Sequence, residues 1–165
     1  MKNLILFFTI ILIGSSVYGQ RFSIGTNIGA PVSDAHDFYS FTIGLDANYW
    51  FVSDKFRAGI ATGFNFFLSN ELKGNSRGLY LENASFVPIA FAGRFDLSDK
   101  FILGADLGYA IGVGNDGGFY YRPIFGYNIL DSLQISLSYR GISSDGLSVD
   151  AVTVGVNYSF SNRKD

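Results

Sequence analysis

The chain has no cysteine in its 165 residues, so it can build neither a disulfide scaffold nor a thiolate metal site. Histidine occurs once, at His36, which leaves little for a transition-metal site or for general acid–base chemistry. Charge is scarce: Asp, Glu, Lys and Arg make up 16% of the residues, against about 25% in ordinary soluble domains. The formal net charge of −2 provides no basic footprint for nucleic acid. Long apolar runs are missing as well, since nothing after residue 13 approaches the ~18 continuous apolar residues of a membrane-spanning helix. Yet 48% of the chain is hydrophobic and 17% aromatic. A chain so apolar, with neither long runs nor abundant charge, has to spread its apolar residues periodically.

The first twenty residues stand apart. Lys2 supplies a positive start, Leu4 to Ile13 form a short apolar core broken by Thr9, and Val17 and Gly19 are small enough for signal peptidase. The expectation is a signal peptide over residues 1–19, cleaved between Gly19 and Gln20, followed by one domain over 20–165.

From Arg21 onward the period is two. Phe22, Ile24, Thr26, Ile28 and Ala30 alternate with Ser23, Gly25, Asn27 and Gly29, and 31–37 reads as a turn or short loop. Further strands are expected over about 38–51, 56–67, 83–95, 101–112, 119–128, 133–140 and 151–160, which makes eight. Short turns join them on one rim, and longer loops, above all 68–81, on the other. The inner faces collect Gly, Ser, Thr, Ala and Asn. Those small, uncharged residues would make a poor soluble exterior, whereas they suit the narrow lumen of an eight-stranded barrel. Aromatics near strand ends, including Tyr49, Trp50, Phe51, Phe119, Tyr120 and Tyr121, are expected as interface girdles. Pro88 and Pro123 fall inside strands four and six and are expected at bulges or near a rim. The fold class is therefore all-β: an eight-stranded antiparallel up-and-down transmembrane β-barrel.

The last strand carries the most specific pattern. Thr153-x-Gly155-x-x-Tyr158-x-Phe160 resembles the closing β-signal of outer-membrane barrels, and the whole chain after residue 19 resembles the small OmpA- and OmpX-type eight-stranded barrels. That resemblance implies residence in the outer membrane of a Gram-negative bacterium. It also implies contact with outer-membrane lipid and with the barrel-assembly machinery during insertion. The polar tail Ser161 to Asp165 departs from the pattern, in which many chains stop at the aromatic.

Alternation places Asp46, Arg57, Arg94, Asp106, Arg122 and Arg140 in the lumen, where charges need partners. Carboxylate–arginine pairs bridging neighbouring strands are expected, with some of the four arginines reaching water or backbone carbonyls instead. Gly112-x-Gly114-x-x-Gly117 matches a dinucleotide fingerprint in form, but a strand follows it instead of a helix, so it is a turn. His36, between Asp34 and Asp37, is expected in a loop, where neighbours seldom hold the fixed geometry that base-and-nucleophile chemistry needs. No enzyme activity, metal or cofactor is expected. The functional expectation is a non-enzymatic envelope barrel whose loops contact an envelope partner. The alternatives are an accessory barrel of a secretion or assembly machine, a narrow pore, or a soluble lipocalin-like carrier.

Overall fold

A computed structural model of the protein describes residues 20–52, 55–69, 82–144 and 147–160. The leader 1–19, turn residues 53–54, nearly all of the 68–81 loop, residues 145–146 and the tail 161–165 lie outside the described residues. Eight antiparallel strands form a closed barrel: β1 (Gln20–Val32), β2 (Tyr39–Val52), β3 (Phe56–Ser69), β4 (Ala84–Asp96), β5 (Phe101–Gly112), β6 (Gly118–Leu130), β7 (Leu133–Ser144) and β8 (Leu147–Phe160). Each strand pairs with its sequence neighbours, and β1 pairs with β8 from Phe22↔Phe160 to Val32↔Asp150, so no strand edge is left open. One short helix, α1 (Ala35–Phe38), lies in the β1–β2 connection and buries Ala35. Strand starts and turns follow the sequence pattern closely. The ends run longer on the loop rim, where β1 continues through Pro31 and Val32, and β7 and β8 extend to Ser144 and Leu147.

The alternation of each strand becomes an inside and an outside. Large apolar side chains stand on the exterior, among them Leu45, Ile89, Leu107, Leu137 and Val154, with Phe91 80% exposed. Polar and small side chains point inward, where Ser23, Asn27, Asn48, Thr42, Asn65 and Thr153 are all buried. This is the reverse of a soluble protein, whose apolar faces turn inward. This arrangement does not favour the soluble-carrier reading.

Several inward positions are glycine because a neighbour's side chain lies flat across them. A Cβ at Gly104 would collide with Arg94, one at Gly44 would sit 2.7 Å from Asn27 Oδ1, and one at Gly59 would press on the Trp50 ring at 2.9 Å. Lumenal glycine is thus the complement of a long partner one strand away.

Three features depart from the sequence reading. Trp50 and Tyr120 do not join an exterior girdle. They share parity with Asp46 and Arg122 and are buried in the lumen at 4% and 2% exposure. Tyr39 is also turned inward: a register shift between Tyr39 and Phe41 inverts its face and brings its ring to 5.6 Å from Phe67. The prolines need no bulge. Register on both sides of Pro88 and Pro123 is unchanged, and the ladder lapses for two residue pairs beside each, towards β3 and towards β7 respectively. A missing donor on one side is absorbed by a local gap, while Pro88↔Ala110 and Pro123↔Ala105 stay paired on the other. Along β4 the inward face is Ala84, Phe86, Pro88, Ala90, Ala92 and Arg94, with Arg94 in the lumen as expected.

Candidate functional site

Among the described residues, charged and hydrogen-bonding side chains concentrate in the lumen, which is layered along the barrel axis. At the loop rim Tyr39, Phe67, Phe86, Tyr120 and Ile142 form an apolar deck, with Phe67 and Phe86 edge to face at 5.9 Å. These side chains come from the strands β2, β3, β4, β6 and β7, so the deck belongs to the barrel wall and not to its loops.

Below it lies a connected ion-pair chain. Arg94 Nη1 donates to Asp106 Oδ1 at 2.6 Å, and Arg122 Nε donates to Asp106 Oδ2 at 2.9 Å. Arg122 Nη1 donates to Asp46 Oδ1 at 2.8 Å, and Arg140 Nη2 stands 3.6 Å from the same oxygen. Asn27 closes the chain, giving Nδ2 to Asp46 Oδ2 at 2.9 Å and taking Arg140 Nη1 on Oδ1 at 3.1 Å. The five ionic side chains come from β2, β4, β5, β6 and β7, and each is less than a tenth exposed.

Register explains which pairs are local and which cross the lumen. Asp106 and Arg122 stand directly opposite on β5 and β6, where unlike charges attract. Asp46 has glycine directly opposite on both sides, Gly25 on β1 and Gly63 on β3, so it meets β1 only through the diagonal Asn27 and its ionic partners come from across the barrel. These two pairings, Asp46 with Arg122 and with Arg140, depart from the expectation of bridges between neighbouring strands. Register also faces Arg122 with Arg140 at the Pro123 gap, and both turn to Asp46.

At the rim that holds the ends of the described chain, Arg57 and Arg94 stand opposite each other on β3 and β4. Each has a separate carboxylate, since Arg57 Nη2 reaches Asp96 Oδ1 at 2.8 Å. Both lean on Trp50, with guanidinium carbons 5.9 and 5.0 Å from its ring centroid, and Trp50 Nε1 donates to Ser23 Oγ at 3.0 Å. A cavity of about 30 Å³ lies here, lined by Ser23, Asn48, Trp50, Arg57, Arg94 and Gln134 among others. It is large enough for water and too small for a metabolite. Arg94 Nη1 also donates to the Gly93 carbonyl at 2.8 Å.

The structure therefore brings Asp46, Arg94, Asp106, Arg122 and Arg140 into one network and sets Arg57 apart at the rim. Asp96, Arg57's partner, was missed because its segment read as a turn. Continuing β4's alternation by one inward step past Arg94 finds it. Asp150 was missed for another reason. It sits on the outward face of β8, yet is 4% exposed, because Tyr121 crosses Gly141 and donates to Asp150 Oδ1 at 3.3 Å while Ser148 Oγ donates to Oδ2 at 2.6 Å.

The terminal motif divides by face. Thr153 Oγ1 shares a hydrogen bond with Ser138 Oγ at 2.7 Å inside, and Gly155 clears the wall beside Asn27. Tyr158 and Phe160 lie outside, 4.9 Å apart edge to face, with Phe160 stacked on Phe22 at 6.0 Å across the closing seam.

With this geometry in hand, comparison with solved structures is decisive for architecture. Ail, the attachment invasion locus protein of Yersinia pestis, in a phospholipid nanodisc, superposes with a TM-score of 0.59 at 16% identity, over 86% of this chain and 98% of that one. The N-terminal β-barrel domain of Pseudomonas aeruginosa OprF gives 0.53 at 12%, over 85% and 97%. The chain has the fold of the small eight-stranded outer-membrane β-barrels. A de novo designed transmembrane β-barrel matches comparably, with a TM-score of 0.54 at 13% identity over 85% and 95%, so this fold carries no single biological role. No protein-family model and no curated protein matches the chain.

Proposed function

We propose that the protein is an integral, non-enzymatic outer-membrane barrel with a closed lumen, whose role is structural or interactive at the cell envelope. The observation that carries this reading is the inverted alternation. An apolar belt covers the exterior of every strand, while the interior holds the paired charges. Hydrocarbon is the solvent for which such an exterior is stable, and a closed ladder is one of only two ways to cross it with every backbone group bonded. The leader over residues 1–19, cleaved between Gly19 and Gln20, would deliver the chain, and the barrel-assembly machinery would insert it with Thr153, Gly155, Tyr158 and Phe160 as its signal.

A solute pathway would have to pass both the aromatic deck and side chains reaching from β6 and β7 to Asp46 across the lumen. Function then falls to the outer surfaces, with loop 68–81 as the first partner surface to test. Cell fractionation and a gel of unheated against boiled sample test the placement. The protein is expected in the outer membrane, migrating faster before boiling. In planar bilayers the purified protein is expected to give no steady conductance. Recovery from the soluble periplasm with no heat-dependent shift would overturn the reading, and a conductance lost on Arg122→Gln would replace the closed lumen with a pore.

A further inference from the structure

The charges of the central network do not close among themselves. Three guanidiniums, those of Arg94, Arg122 and Arg140, share two carboxylates, Asp46 and Asp106. Arg57 does not enter this sum, because Asp96 neutralises it at the rim. The surplus falls on Arg140. Asp46 Oδ1 is already held by Arg122 at 2.8 Å, and Arg140 Nη2 stands off at 3.6 Å, beyond hydrogen-bond length. Its one hydrogen bond from the side chain goes to the neutral amide of Asn27, while Nε and Nη2 have none among the described residues. Arg140 is fully buried. An ion removed from water with only a share in another residue's counter-charge is a costly feature for a fold to hold.

Two other buried lumenal side chains also carry unsatisfied groups. Asn65 and Thr42 are both fully buried, and neither the amide of Asn65 nor Thr42 Oγ1 has a partner among the described residues. Asn65 lies across Gly44 from Asn27, the amide that takes Arg140 Nη1. A Cβ on Gly44 would lie 2.7 Å from Asn27 Oδ1 and 2.8 Å from Asn65 Oδ1, so the two amides close over this glycine from either side. Thr42 is the next inward residue of β2. The free valences are mostly donors: Nε–H and the two Nη2–H of Arg140, the Thr42 hydroxyl and the Asn65 amide nitrogen.

We propose that the lumen binds one small monovalent anion of the chloride class beside Arg140, with Asn65 Nδ2 and Thr42 Oγ1 as further donors. Water could satisfy the donors but would leave the surplus charge. An anion does both, and the surplus of one fixes its valence. The aromatic deck above restricts its size.

The test uses the purified full-length protein, refolded without halide in sodium gluconate and titrated with sodium bromide at constant ionic strength. The unfolding temperature is expected to rise saturably with bromide. Arg140→Met removes the surplus charge and is expected to abolish the saturable component. A flat response in the native protein, or an equal one in the Arg140→Met protein, overturns the site, since ion effects at the outer surface do not depend on Arg140. Should the variant fail to fold, crystals of the native protein grown in bromide decide. An anomalous peak in contact with Arg140 supports the proposal, and ordered water alone at that position overturns it.

Discussion

At the scale of single residues, the lumen works as a set of mutual obligations. Asp46 accepts from Arg122 and Asn27 and is the nearest carboxylate to Arg140. Replacing it by Asn keeps the shape and removes the charge, leaving two guanidiniums buried without their shared anion. Asp46→Asn is therefore expected to cost about 3–5 kcal/mol in denaturant unfolding from lipid. Adding Arg140→Met is expected to recover part of that loss, a non-additivity that a double-mutant cycle would read. Outside the barrel the same logic holds at Asp150. Tyr121→Phe leaves a buried carboxylate oxygen without its phenol donor, and a loss of about 1–3 kcal/mol is expected in the same assay. A stability equal to the native protein's would mean that Asp150 reaches headgroup water once Tyr121 no longer holds it.

At the scale of the element, each strand is a two-sided object whose faces are set by parity. That is why so much was legible. Alternation in β5 and β8 gave both faces outright, and the small inward residues pointed to a narrow interior. What parity could not show was where it breaks or what it means at an aromatic. The bulge at Tyr39 inverts one residue at the start of β2, and no residue type in that stretch marks it. Trp50 follows parity faithfully, but its large ring reads as an exterior anchor until Gly59 is known to be its neighbour on β3. Pairing across the lumen was equally hidden, because register relates neighbouring strands and Asp46 meets Arg122 of β6 from β2. Parity also yields a depth-dependent test. Leu107 lies mid-strand on the outer face of β5 and Ile111 near its end. Leu107→Arg is expected to destabilise the folded barrel by about 2–4 kcal/mol and Ile111→Arg by about 0–1 kcal/mol. Equal costs would mean that the apolar belt is not centred where the strand pattern puts it.

At the scale of the whole molecule, the barrel is a closed ring of eight equal neighbours, and the seam between β1 and β8 is bonded like any other. Phe22 lies opposite Phe160, so the two ends of the described chain meet on one rim. Order along the chain and order around the ring are consequently separable. A circular permutant joining residue 160 to residue 20 through a short linker, and opened within the β4–β5 turn at 97–100, would keep every strand pair and every lumenal contact. Its final strand would become β4, ending at Phe95 and Asp96, and Thr153, Gly155, Tyr158 and Phe160 would become internal. In detergent this permutant is expected to refold with the heat-dependent gel shift of the parent. In cells it is expected to accumulate unassembled, if the machinery reads the last strand and not the finished ring. Normal assembly in cells would show that the closing motif is needed for its packing against Phe22 and Ser138, wherever in the chain it is encoded.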